Sequence, residues 1–161
     1  MIIPEMRGTF QDALLRSTSR ELVSVFGIAS SRAVSINETL QVRVDRNTGQ
    51  YAIEKRVRDG GRETRFVPVS DIPGGQGKLD TRVSIQIRMP REDAAKAADE
   101  RMPAVREGPQ PEPGAEDAIA FYPDGTADGR EIVLRDNDGF RLGLRINAVT
   151  ARVHIVELAR E

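Results

Sequence analysis

The apolar residues of this chain change their spacing once, and that change restricts the fold more than any other feature. Between Phe10 and Ile36, the residues Phe10, Leu14, Leu22, Val25, Phe26, Ala29, Ala33 and Ile36 mostly recur three or four apart, the interval that lines one helix face. Asp12, Arg16, Arg20, Glu21 and Arg32 fall mostly elsewhere on the wheel, so the apolar stripe is expected to lie on a sheet. Gly27 costs about 1 kcal/mol relative to alanine at a helix interior, which suits close approach of another backbone. The helix is expected over residues 5–37. Period two then takes over: Leu40, Val42 and Val44 alternate with Gln41, Arg43 and Asp45, and Asn47-Thr48-Gly49 turns the chain toward Tyr51 and Ile53.

A turn-rich stretch with Asp59-Gly60-Gly61 and Pro73-Gly74-Gly75 follows, after which Val83, Ile85, Ile87 and Met89 alternate with polar residues. These elements make a first β region over residues 39–89. Residues 90–117 differ in kind, with an Ala- and charge-rich piece followed by Pro109, Pro111 and Pro113, and are expected to form a largely mobile surface insertion. Residues 118–158 read as a meander: Ile119 and Phe121, a Pro123-Asp124-Gly125 turn, Ile132 and Leu134, an Asn137-Asp138-Gly139 turn, Phe140 to Ile146, then Val153 and Ile155. The pattern implies one α+β domain over 1–161, a long N-terminal amphipathic helix packed on an antiparallel, sandwich-like β-domain.

The chemistry available is narrow. There is no cysteine, so disulfides, thiolate nucleophiles and Cys metal sites are excluded. His154 is the only histidine and is expected as a surface strand residue, since nothing completes a catalytic or zinc set around it. Ser30, Ser31 and Ser35 lie on the helix without a nucleophile-elbow setting. Asp124, Thr126, Asp128 and Gly129 imitate the start of a calcium loop, but its twelfth position is Arg135 where a bidentate glutamate is needed, and a plain turn is expected. Gly74-Gly75-Gln76-Gly77-Lys78 lacks the spacing of a phosphate loop and reads as a flexible turn.

Net charge is -1, so the whole chain exerts no attraction on nucleic acid or anionic lipid. Locally, Arg141, Arg145 and Asn147 share one strand face, with Arg152 and His154 beside them if the last two strands pair. That stripe suits phosphate contact. The other reading is a solvated face whose arginines pair with Glu131 or Asp136. The sequence points to no enzyme, no cofactor, no metal and no small-molecule substrate. No run of about 18 apolar residues occurs, so the chain as given reads as soluble.

Three segments carry a family resemblance. Residues 21–53, ELVSVFGIASSRAVSINETLQVRVDRNTGQYAI, resemble the helix, first hairpin and Gly-x-Tyr of the type II secretion minor pseudopilins of the GspH class and the related FimT/FimU minor pilins of type IV pili. Residues 119–134, IAFYPDGTADGREIVL, are similar to the family's Phe-x-Pro-Asp-Gly turn and following strand. Residues 143–155, GLRINAVTARVHI, resemble its closing turn and last strand, with Ala151 where the family usually has glycine. The resemblance implies a structural subunit whose helix packs among other pseudopilins or pilins while its β-domain faces outward. It also implies a parent anchored at the periplasmic face of the inner membrane, with leader cleavage and N-methylation of that parent. Ile2-Ile3-Pro4 looks like the exit of the missing membrane helix. On this reading Phe10, Leu14 and Leu15 contact neighbouring subunits, and Leu22, Val25, Phe26, Ala29 and Ala33 pack on the chain's own sheet. Nucleic-acid contact through Arg141, Arg145 and Arg152 belongs to the pilus alternative.

Overall fold

The structure, a computed structural model, describes the backbone of residues 3–59, 63–89 and 117–158, with side chains over 13–57, 65–89 and 117–158. Helix α1 runs Ile3–Ile36. Its stop is set by Asn37, which takes a left-handed φ of 56° and lets the Glu38 N–H reach back to the Ala33 carbonyl at 3.1 Å. That 6→1 bond satisfies a carbonyl the helix itself leaves open, and asparagine is the side chain after glycine best suited to the conformation.

Among the described residues nine strands follow: β1 (Leu40–Val44), β2 (Gln50–Asp59), β3 (Glu63–Pro68), β4 (Gln76–Lys78), β5 (Ser84–Arg88), β6 (Ala118–Phe121), β7 (Glu131–Arg135), β8 (Arg141–Ile146) and β9 (Val153–Leu158). They form two antiparallel sheets. One runs β3-β2-β1-β6 with β4 also on β2, the other β5-β7-β8-β9. The period-two residues point inward as a set: Leu40, Val42, Val44, Ile53, Ile119, Phe121, Ile132, Leu134, Leu144 and Ile146 are all 2% exposed or less. Helix α1 touches β1 and β6 of the first sheet and β7 and β8 of the second, so its apolar face closes the line where the sheets meet. Phe26 and Phe121 centre that contact, both fully buried with ring centroids 5.8 Å apart.

Two strands lie within the turn-rich stretch of the first β region, where the spacing of apolar residues marked none. β3 has no clean alternation, because Phe66 and Val67 are adjacent and Pro68 ends it. β4 carries no apolar residue, and all three of its positions are exposed. What makes Gln76–Lys78 a strand is pairing with Gln50–Ala52, and the Tyr51 ring lies against it where a Cβ on Gly77 would stand 2.5 Å from the phenol oxygen. The expected flexible glycine turn is therefore partly an edge strand, in which any side chain at Gly77 would have to displace the Tyr51 ring. The expected insertion over 90–117 lies outside the described residues except for Asp117, which ion-pairs with Arg46 at 2.8 Å.

Two hairpins share one turn design. In Asp45–Gln50 the Asp45 N–H donates to the Gln50 carbonyl (2.8 Å) and the Gly49 N–H to the Asp45 carbonyl (2.7 Å), while Asp45 Oδ1 accepts from the N–H groups of Asn47 and Thr48. Asn147–Arg152 repeats each bond: Asn147 N–H to the Arg152 carbonyl (2.9 Å), Ala151 N–H to the Asn147 carbonyl (2.8 Å), and Asn147 Oδ1 accepting from Val149 and Thr150. The design needs a left-handed residue at its fifth position, filled by Gly49 at φ 77° and by Ala151 at φ 60°.

Ala151→Gly is therefore expected to stabilise the domain by about 0.5 kcal/mol, because relief of a left-handed alanine, roughly 1–2 kcal/mol, exceeds the loss of one nearly buried methyl. Gly49→Ala is expected to cost about 1–2 kcal/mol, since its methyl would also stand 3.2 Å from the Leu79 carbonyl oxygen. Urea midpoints measured side by side check both; shifts of the same sign would show that the turns do not share this constraint.

Candidate functional site

Helix α1 presents two opposite seams. Leu15, Leu22, Val25, Phe26, Ala29 and Ala33, at 0–2% exposure, form the inner one. Leu15, expected to face neighbouring subunits, lies inside the chain's own core, because the helix-sheet contact begins about two turns before Leu22. Leu14 is half-buried and packs against the same cluster. The Phe10 side chain lies outside the described residues. Thr18 and Ser19 fill the gap at 5% and 0% exposure, with hydroxyls bonded to the helix's own carbonyls.

The outer seam is made of Ala13, Ser17, Arg20, Ser24, Gly27, Ser31 and Val34, alternating four and three apart and all exposed. Six of the seven are small or of modest size. Among the described residues no atom of another part of the chain lies within 4 Å of a Cβ built on Gly27, so none of them explains by its packing a glycine that weakens this helix. Near the helix end, Ile36 borders a cleft of about 350 Å³ with Leu40, Val69 and Ile72 at its floor, and Lys55–Glu38 (3.3 Å) and Arg32–Asp71 (3.9 Å) ion pairs around it.

The arginine residues of the last strands lie on the outward face of the second sheet, as the alternation requires. Register places Arg88, Glu131, Arg145 and His154 in one row across β5, β7, β8 and β9, and Ser84, Arg135, Arg141 and Leu158 in another. Glu131 is 2% exposed; its Oε1 accepts from Arg88 Nε and its Oε2 from Arg145 Nε, each at 2.7 Å. Arg145 is thus paired with Glu131, as the solvated-face reading had it, rather than offered to phosphate. Arg152 is exposed just before β9, and Asn147 uses its side chain to close the β8–β9 turn. His154 is exposed opposite Arg145.

The first sheet has a matching device on its outward face. Glu54, 8% exposed, accepts from Gln41 Nε2 at 2.6 Å and Arg43 Nε at 3.0 Å. Beside it a cleft of about 530 Å³ is lined by Arg43, Asp45, Gln50, Ala52, Gln76 and Lys78. The oxygens of the calcium-like loop are used within the fold. Asp124 Oδ1 takes the Thr126 N–H and hydroxyl; Asp128 takes the Ala120 N–H and the Tyr122 hydroxyl, whose proton is held up to about 12 by burial and the Asp128 carboxylate. Among the described residues no group of His, Asp and Glu is placed to hold a metal ion, and no helix is long and apolar enough to cross a membrane.

No protein-family model and no curated protein matches the sequence. Solved structures do match the fold. The minor pseudopilin EpsH from the type 2 secretion system of Vibrio cholerae superposes with a TM-score of 0.56 at 7% identity, over 89% of this chain and 96% of that one. A second EpsH structure gives 0.55 at 12% identity over 93% and 97%. The type IV minor pilin FimU of Pseudomonas aeruginosa gives 0.56 at 15% identity over 91% and 90%. The chain has the pilin-like α+β fold of these proteins, one N-terminal helix packed on antiparallel sheets.

Burial alone would push the Glu131 carboxyl up, but the bonds from Arg145 and Arg88 outweigh it and hold it below the usual range. A carboxylate lowered in the folded state adds stability that is complete above its unfolded value and lost as pH falls through its folded one. Glu131→Gln is expected to cost about 2–3 kcal/mol at pH 7, because two part-buried arginine bonds lose their charged acceptor. Denaturation across a pH series should show the gap to wild type narrowing below about pH 4; a gap constant down to pH 3 would contradict the clamp.

Proposed function

We propose that the chain is a minor subunit of a pilin-like filament at the periplasmic face of the bacterial inner membrane, a type II secretion pseudopilus that supports protein export. The observation that carries this reading is the second seam of α1. The helix commits most of its described large apolar residues to its own sheets, yet keeps an exposed row of mostly small residues at four-three spacing, with no described residue packed over Gly27. Small residues in such a row let a neighbouring helix come close, and the close approach gives a reason to keep a glycine there. The likeness to EpsH supports the reading at the level of the fold. Phe10 continues the same spacing toward the N-terminal end of the helix, three residues before Ala13. It is the residue of the expected assembly set that this reading retains, since Leu14 packs against the chain's own core. The β-domain faces outward without turning over a substrate.

A second reading, a minor pilin of a type IV pilus, is favoured by the equal likeness to FimU. The two differ in their neighbours. Subunits of a secretion system or of a pilus, co-expressed with the chain and recovered with it, separate them.

Gly27→Leu is the sharpest test, because it alters the outer seam while improving the helix. Stability is expected to rise by about 0.5–1 kcal/mol, from the helix propensity of leucine over glycine. Recovery of neighbouring subunits is expected to fall at least tenfold. Phe10→Asp is expected to lower recovery in the same way with the melting temperature nearly unchanged. Full recovery with both variants would remove α1 from the assembly surface.

A further inference from the structure

A strand at the edge of a sheet turns unpaired N–H and C=O groups outward and invites a further strand, unless the fold blunts it. Most of the described edges here are blunted. On β6, the Ala120 N–H donates to Asp128 Oδ2 at 3.1 Å and the Ala120 carbonyl accepts from the Asp128 N–H at 2.9 Å. β3 ends on Pro68, β4 has three residues, and Pro90 stands two residues beyond β5. β9 carries none of these devices. It runs six residues, VHIVEL, without proline or lysine, and its one carboxylate, Glu157, is bonded to Arg16 at 2.9 Å.

The ladder fixes which groups of β9 are open. The Asn147 N–H donates to the Arg152 carbonyl, and the register carries that bonding on through His154, Val156 and Leu158, opposite Arg145, Gly143 and Arg141. Val153, Ile155 and Glu157 therefore aim their N–H and C=O groups away from β8, where no described strand pairs with them. Their side chains share the inner face, and the cover of that face ends here: Leu144 is fully buried, while Ile155 opposite it is 47% exposed. On the outward face Val156 and Leu158 are half-buried, with Leu158 against Gly143. Around this apolar edge the charges are mostly cationic. Arg16 reaches Glu157 from the helix and Arg20 follows one turn later, Arg152 is exposed just before the strand, and Arg141 and Arg145 lie one strand inside.

We propose that the open edge of β9 takes up an extended segment of another protein chain, β-branched at its centre and acidic around it, as a fifth strand of the second sheet. Backbone bonds to Val153, Ile155 and Glu157 hold the segment, its apolar residues cover Ile155, and the surrounding arginines select carboxylates over cations. The surface is a strand edge rather than the small-residue seam of α1, so its test needs no filament subunit.

The probes are a short peptide alternating valine with glutamate and its counterpart with lysine for glutamate, titrated into the isotope-labelled full chain. With the glutamate peptide, the amide protons of Val153, Ile155 and Glu157 are expected to move downfield, as new hydrogen bonds require, while those of His154, Val156 and Leu158 move little. The lysine peptide is expected to bind about tenfold more weakly. Ile155→Pro removes an edge N–H that β8 does not use, so the domain is expected to fold and the alternating shifts to vanish. Arg20→Glu with Arg152→Glu, both exposed, is expected to weaken the glutamate peptide about tenfold, and Arg56→Glu on the first sheet to leave it unchanged. Equal binding of both peptides, shifts without the alternation, or full binding to Ile155→Pro overturns the proposal. So does the same alternation produced by a single-stranded oligonucleotide, or by raising the concentration of the chain alone, which would make the occupant a second copy.

Discussion

Everything in this fold depends on one helix face closing two sheets at once. Each sheet buries one side only, and neither could hide its apolar side chains without the helix across their meeting line. Phe26 against Phe121 is the centre of that closure, with Val42, Ile53, Ile132 and Leu144 packed around it in the same cluster. The small residues Ala29 and Ala33 bring the end of the helix close to the sheets, so β1 leaves the helix already in its place. A chain that spends the inner face of its helix this way has only the outer face left to offer.

The outward faces of both sheets follow a common rule. Each holds one nearly buried glutamate tied across strands, Glu54 to Gln41 and Arg43, and Glu131 to Arg88 and Arg145. A buried carboxylate is tolerated when it is bonded to donors and paired with a cation: Glu131 receives one arginine on each oxygen, and Glu54 receives Arg43 and the Gln41 amide on Oε1. The glutamates fix lateral register where no apolar packing could. In doing so they consume arginines that, in sequence, look like a surface for phosphate. The net charge of the chain conceals this pairing, since charges of both signs are present in near equality.

The hairpin turns show how local chemistry repeats where sequence does not. Asp45-Arg-Asn-Thr-Gly-Gln and Asn147-Ala-Val-Thr-Ala-Arg share only the threonine, yet they make the same bonds. What they hold in common is an acceptor on the first side chain, a hydroxyl on the fourth and a left-handed fifth residue. Alanine supplies that fifth conformation at a cost that glycine avoids. The third such hairpin, closed by Asp136 with Gly139 at φ 90°, keeps the acceptor in a loop one residue shorter.

The sequence by itself determined the elements whose partners lie in their own periodicity. The helix, its end at Asn37, β1, the start of β2, and β5 to β9 are written in the spacing of their apolar residues and in the turn residues between them. So is the inner seam, because Leu22, Val25, Phe26, Ala29 and Ala33 share one face of any helix. Tertiary structure alone decided β3 and β4, which lack alternation and exist through pairing with β2. It moved Leu15 from the expected interface into the core, since a seam's extent depends on how far the sheets reach along the helix. It also decided that Arg145 belongs to Glu131, fourteen residues away, because cross-strand register brings them together and one-dimensional order does not. The outer seam was present in the sequence as mostly small residues at four-three spacing, but only the folded chain shows that these residues are exposed and that no described residue packs over Gly27.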